Sequence, residues 1–208
     1  MAEMMKGNEA IAEAAIRAGA RFYAGYPITP SSEIMEYLSW RMNEVGGAFV
    51  QAESELAGIN MVIGASSCGV RALTASSGPG ISLKQEGIST LCDEGLPAVV
   101  ITQVRYGNGL GTLFTSQCDY HRETRGGGQG DYRCIVLCPS SIQEFVDLML
   151  PAYELAEKYR IVTIMMGEGT LGQMMEPVEL PDFVEPKRTP WALNGHYTYK
   201  KIGIFERD

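Results

Sequence analysis

Residues 47–80 read GAFVQAESELAGINMVIGASSCGVRALTASSGPG, and this stretch sets the fold class. GAFVQ is an apolar run of strand length. AESE then turns the chain into LAGINMVIGAS, a helix candidate of small and apolar residues without a charge. RALTAS is a second strand candidate, and SSGPG turns the chain again. Strand, helix, strand is the unit that joins parallel neighbours in a sheet. Glu55 opens the uncharged helix. A carboxylate entering a glycine- and alanine-rich helix needs a reason, because a carboxyl taken out of water favours its proton and a partner to share it with. Acids are also common in the first turn of a helix, where they meet the positive end of the macrodipole. That ordinary reading suits Glu53, which is placed to face solvent, and for Glu55 it stands level with a functional one.

The same alternation extends in both directions. Upstream, Asn8 is expected to cap the helix EAIAEAAIRAG, which Gly19 ends, and RFYA over 21–24 follows as a strand. Ser31 or Ser32 then caps SEIMEYLSWRMNEV, with Gly46 and Gly47 as its stop. Downstream, a helix is expected over 81–92. PAVVITQV over 97–104 is the clearest buried strand, and another is expected at 134–137. Ser140 and Ser141 cap a long amphipathic helix, and IVTIMM over 161–166 is the last strand. This order implies an α/β fold of three layers, α/β/α, around a mostly parallel sheet. Loops after parallel strands gather at one edge, outside the strand carboxyl ends. YPITPS, AESE, SSGPG and RYGNG are therefore expected side by side. Residues 1–166 form one α/β domain on this reading. Residues 167–208 are a Pro-rich extended arm or linker remnant, with a second domain absent. The Gly-rich connection over 106–133 is too long for a plain loop, which marks it as functional or mobile.

Composition narrows the function classes. The chain has 208 residues, 45% of them apolar, enough for a sizeable core. Its formal charge is -8 with no basic block, which argues against nucleic acid. No run of 18 apolar residues exists to span a membrane, and the N-terminus lacks the apolar centre of a secretory signal. Five scattered cysteines suit a reducing cytoplasm better than a disulfide scaffold. Cys134 and Cys138 flank a short apolar run, IVL, and are taken as strand residues rather than metal ligands; no metal site is expected on this chain.

Three further features could carry chemistry. Thr29 lies between Pro27 and Pro30 in the turn Tyr26-Pro27-Ile28-Thr29-Pro30-Ser31, so its backbone is set before any ligand arrives. A rigid turn that merely starts the next helix explains it equally well. Arg105 ends the most buried strand, where a guanidinium can clamp a carboxylate or pair with Asp93 or Glu94. Ser77 and Gly78 open SSGPG, whose backbone N–H groups could face an anion or simply make a tight turn. Neither GxxxxGK(S/T) nor GxGxxG after the first strand is present.

Taken together, GNEAIAEAAIRAG, FYAGYPITPSSEIMEYL, QAESELAGINMVIGAS, ALTASSGPGISLKQEGIS, the GLGT-x3-SQ-x-DY pattern and RGGGQGDYR-x-IVL-x-PSS-x-QE resemble the alpha subunit of the 2-oxoacid:ferredoxin oxidoreductases. The branched-chain branch, acting on 3-methyl-2-oxobutanoate (2-oxoisovalerate), is the nearest likeness, and it runs from about Lys6 to Glu179. The resemblance implies the pyrimidine-binding domain of a thiamine diphosphate enzyme. In that family a glutamate hydrogen-bonds the aminopyrimidine and promotes the imino tautomer that takes the thiazolium C2 proton. Glu55 is the choice for that glutamate, with Glu53 a lesser candidate. Thr29 and Arg105 would contact the substrate carboxylate or carbonyl, and Pro27, Ile28, Ser77 and Gly78 would lie on the cofactor. The reaction implied is coenzyme A-dependent oxidative decarboxylation of a 2-oxoacid, with electrons passing to ferredoxin. Thiamine diphosphate would be shared with a beta subunit that holds the diphosphate and Mg²⁺. Iron–sulfur clusters of the 4Fe-4S type would sit on gamma and ferredoxin-like delta subunits, and self-association is implied as well. The chain departs from the family at Gln129, where a histidine is common, and at Cys118, where glycine is. HYTYKKIGIFERD, over 196–208, has no counterpart. A 2-oxoglutarate- or pyruvate-specific relative, a non-catalytic assembly module and a small-anion-binding domain are the alternatives.

Overall fold

The chain runs β1 (Glu3–Lys6), α1 (Gly7–Arg17), β2 (Phe22–Gly25), α2 (Ser32–Glu44), β3 (Ala48–Gln51), α3 (Glu55–Ser67), β4 (Ala72–Ser76), α4 (Gly78–Asp93), β5 (Ala98–Val104), α5 (Tyr120–Arg125), β6 (Ile135–Leu137), α6 (Ile142–Tyr159), β7 (Val162–Glu168), α7 (Gly169–Gln173) and β8 (Met175–Val178). This computed structural model describes residues 2–185, together with 189 and 192. The stretch 196–208 lies outside the described residues.

Six strands pair in the order β3-β2-β4-β5-β7-β6, all of them parallel. AVVITQV of β5 is buried at every position, as a central parallel strand covered on both faces requires. One core lies between the sheet and α1, α2 and α6, with Ile11, Ile34, Leu38, Phe145 and Met149 among its members. A second core lies under α3 and α4, around Ile59, Val62, Ile81, Ile88 and Leu91. The three layers expected from the strand and helix order are therefore present.

Local details depart from the sequence reading in four places. Lys6, not Asn8, is the residue before α1; Asn8 sits inside the helix and donates to the carbonyl of Pro30 at 2.7 Å. A polar side chain near a helix start is a cap only if no stronger partner claims it. Helix α4 begins at Gly78, three residues early, because Pro79 supplies the fixed φ and missing N–H suited to a first turn. The expected end of regular structure at residue 166 is overrun. β7 continues to Glu168, α7 follows, and β8 pairs antiparallel with β1. A two-stranded ribbon of short strands lacks a long periodic run, so neither β1 nor β8 shows in the sequence. Finally, the lack of charge in LAGINMVIGAS predicts a helix packed all round, yet Leu56, Asn60, Met61 and Gly64 of α3 are exposed.

Candidate functional site

Chain order turns back on itself between β2 and β4. From β2 the chain goes out to β3, then crosses to β4 on the other side of β2. Such a switch point leaves a crevice at the carboxyl ends of the two central strands. The turn 26–31 leaves β2 there, and the turn SSGPG leaves β4 there.

Glu55 is brought to this edge as the first residue of α3. Ser54 sets the helix start, its Oγ accepting from the N–H of Ala57 at 3.1 Å. Gly58, one turn on, lets α3 lie against the backbone of β2: a Cβ there would stand 3.3 Å from Gly25 Cα. Glu55 is only 7% exposed, while Glu53 faces solvent. The surroundings of Glu55 are built from α4. A Cβ on Gly80 would overlap Ser76 Oγ and come within 2.6 Å of Glu55 Oε1, so only glycine leaves room for both oxygens. The hydroxyls of Ser76 and Ser77 are buried without a hydrogen-bond partner among the described residues. An orphaned hydroxyl beside a buried carboxylate is a group that a heteroatom-bearing ligand could satisfy.

The other expected site residues fall into a second group. Arg105 Nη1 donates to the carbonyl oxygen of Thr29 at 2.7 Å, and Nη2 donates to that of Leu110. Its Nε is buried without a partner among the described residues, close against Gly78. The guanidinium thus holds backbone rather than pairing with an acid at the start of the loop. Thr29 is joined to it through its carbonyl, and its side chain is exposed. Ile28 accepts from both the N–H and the Oγ of Ser31, at 2.9 Å each, which closes the turn. Gly78, at φ +46°, stands between the two groups: its carbonyl accepts from Arg122 Nη1 at 3.1 Å.

The Gly-rich loop is tied down. Gln85 Oε1 accepts from the N–H of Gly127 at 3.2 Å, and Tyr132 Oη accepts from the N–H of Gly128 at 2.9 Å while donating to Gln85 Oε1 at 3.2 Å. A cavity of about 610 Å³ opens farther along the edge, lined by Val104, Ser116, Tyr120, Cys138 and Glu168; Glu55 and Thr29 lie outside it. Among the described residues no group of three or more His, Cys, Asp or Glu is placed to hold a metal ion.

Sequence reasoning missed Lys84, which is fully buried beside Glu55 and donates to its backbone carbonyl at 3.3 Å. A lone lysine in ISLKQEGIS carries no signal of burial until helix phase and sheet position are known. It also missed the pairing of Cys92 with Cys134, whose sulfurs are 3.9 Å apart. These two cysteines are 42 positions apart in the chain, and no motif spacing links them.

The chain matches the family described as pyruvate flavodoxin/ferredoxin oxidoreductase, thiamine diP-bdg, over residues 13–201. It is 51% identical over 195 residues to the ketoisovalerate oxidoreductase subunit VorB of Methanothermobacter marburgensis, covering 93% of this chain and 55% of that protein. It is 46% identical over 184 residues to the 2-oxoglutarate synthase subunit KorA of Methanocaldococcus jannaschii, covering 88% of this chain and 50% of that one. The 2-oxoglutarate:ferredoxin oxidoreductase from Magnetococcus marinus, solved with 2-oxoglutarate, coenzyme A and succinyl-CoA bound, superposes with a TM-score of 0.87 at 32% identity, covering 99% of this chain and 36% of that one. The chain spans about half the length of the curated relatives it matches.

Proposed function

Because the chain belongs to the pyruvate flavodoxin/ferredoxin oxidoreductase thiamine-diphosphate-binding family, we propose that it supplies the proton-handling half of a 2-oxoacid oxidoreductase site, with Glu55 as the catalytic carboxylate. The observation that carries this is the burial of Glu55 at the strand carboxyl edge, beneath a glycine whose Cβ would displace it. Bound thiamine diphosphate would supply the carbon nucleophile for decarboxylating a 2-oxoacid. The residues present fit its pyrimidine end: Glu55 would exchange a proton with a ring nitrogen, in a setting kept from water by α4. Ser76 and Ser77 would offer hydroxyls, and the turn of Pro27 and Ile28 would form a rigid wall. Arg105 and Thr29 would set the substrate side of the crevice.

A beta subunit would hold the diphosphate and Mg²⁺. Exposed Leu56 and Met61 on α3 and Leu83 on α4 support a protein surface closing over this side. Electrons would leave through 4Fe-4S clusters on gamma and delta subunits to ferredoxin, and coenzyme A would take the acyl group. The higher identity to the ketoisovalerate subunit than to the 2-oxoglutarate subunit favours 2-oxoisovalerate as substrate.

The test is the complex assembled with its partner subunits, assayed for 2-oxoacid- and coenzyme A-dependent reduction of a viologen. Removing a general acid–base group costs on the order of 100-fold or more, so Glu55→Gln is expected to lower turnover by at least about that factor with subunit composition unchanged. Turnover retained in that variant overturns the role of Glu55. Faster turnover with 2-oxoglutarate or pyruvate than with 2-oxoisovalerate overturns the substrate.

A further inference from the structure

Lys84 is the largest charged side chain buried among the described residues, at 0% exposure. An ammonium out of water is costly unless an opposite charge and hydrogen bonds replace its hydration. Its Nζ reaches the carbonyl of Glu55 at 3.3 Å, a long bond for a charged donor. The neighbouring elements narrow the choice of counter-charge. On α3, Glu55 is the only acid or base. β4 and β5 carry no ionisable side chain, and β7 contributes Glu168 at its far end. The connection after β5 brings Arg105 and Arg122 to Gly78, with Glu123 and Asp119 paired to Arg122. Glu86 and Asp93 lie on α4 itself, beside a different cavity that also takes in Asp131, Cys92 and Tyr132.

We propose that Lys84 and Glu55 form a buried, net-neutral pair in which the Lys84 ammonium is a positioning residue for Glu55. It pins the head of α3 through the Glu55 carbonyl and balances the carboxylate before any cofactor ring reaches it. Burial pulls the Lys84 ammonium down to about 8, and the charge of Glu55 works against that fall. This rests on the role given to Glu55 above, yet it is separable from it.

The experiment follows Lys84 itself. The full chain is labelled with ¹³C at lysine Cε, the Lys84 signal is identified with Lys84→Gln, and its titration is read by NMR. The wild-type midpoint is expected near about 8. In Glu55→Gln it is expected to fall by about one pH unit, since the charge of Glu55 is what works against the pull of burial. A wild-type midpoint at the ordinary lysine value, or one unmoved by Glu55→Gln, overturns the pair. If Glu55→Gln stops turnover but leaves the Lys84 midpoint in place, the catalytic reading stands and the pair falls. If the midpoint moves while turnover persists, the pair stands and the catalytic reading falls.

In the assembled complex, Lys84→Gln keeps a donor for the Glu55 carbonyl and loses the charge, whereas Lys84→Met loses both. Each is expected to lower kcat by about tenfold or more with KM little changed; wild-type kcat is expected to fall above about pH 8, where Lys84 loses its charge, and neither variant is expected to show that fall. A Gln variant with wild-type kcat and pH profile limits Lys84 to a structural bond and overturns the charge-balancing role.

Discussion

Arg105 Nη1 stands 2.7 Å from the carbonyl oxygen of Thr29, joining the end of β5 to the turn that leaves β2, 76 residues earlier. The same guanidinium reaches Leu110 through Nη2, so one side chain fixes the turn and the head of the long connection together. A hydrogen bond from a charged group is worth about 1.5–3 kcal/mol. Arg105→Met is therefore expected to speed amide exchange of Gly111 and Thr112 by roughly ten- to hundredfold. Both N–H groups are held by local carbonyls in the wild type, those of Asn108 and Tyr106. Unchanged exchange rates would show that the loop holds itself.

Gly80 leaves no room for a methyl between Ser76 Oγ and Glu55 Oε1. Both obstacles are ends of side chains rather than backbone, so Gly80→Ala should fold while losing about 1–3 kcal/mol. Adding Ser76→Ala should restore part of that, with a coupling of at least about 0.5 kcal/mol in a urea double-mutant cycle. Strict additivity would mean that the methyl is accommodated in another way.

Tyr132 is expected to hold the glycine loop against α4. Tyr132→Phe removes the acceptor for the N–H of Gly127 and Gly128 and the donor to Gln85. The loss should cost about 1–3 kcal/mol and expose the bond after Arg125 to trypsin. Cleavage there at the wild-type rate would refute the anchoring.

Glu13 gives the acid side of the stability profile. It is 3% exposed and accepts from Arg17 Nε at 2.9 Å, Arg41 Nε at 3.0 Å and Tyr37 Oη at 3.1 Å. Burial pushes its carboxyl up, but the hydrogen bonds from Arg41, Arg17 and Tyr37 and the charge of Arg41 outweigh burial and leave it below the ordinary value. A depressed folded value means that the unfolded chain binds more protons, so this stabilisation is present above about 4.5 and lost as pH falls through the folded value. Glu33 is held low in the same sense, against burial, by Lys6, Gln173 and Asn8. Glu13→Gln should cost about 2 kcal/mol at pH 7, less than a fully buried pair because both guanidinium groups reach solvent. Proton linkage predicts that the wild-type urea midpoint declines as pH falls below about 4.5, and the variant should flatten that decline. An equally steep decline in the variant would assign the acid sensitivity elsewhere.

Much of the frame is legible because it rests on local chemistry. β5 is apolar throughout most of its length and β-branched at several positions, and α6 has an amphipathic face with a Ser141 cap that the structure keeps. The choice of Glu55 over Glu53 for burial follows from the uncharged helix behind it. Other features are illegible because they depend on partners distant in the chain. Asn8 reads as a cap until Pro30 claims its amide. Arg105 reads as free for a carboxylate, or for a nearby acid, until two carbonyls take its terminal nitrogens. The β1 and β8 strands exist only through each other.

The sequence by itself determined the parallel α/β frame and the edge at which its loops collect, because strand and helix periodicity and parallel connection are properties of short runs. Tertiary structure alone decided that Lys84 would meet Glu55, that Gly80 would make space for it, and that Thr29 would be held by its carbonyl. Those pairings arise where the sheet order reverses between β2 and β4. Which distant side chains share that crevice is fixed by packing and by the need to satisfy buried polar groups, neither of which is written in any single stretch of the chain.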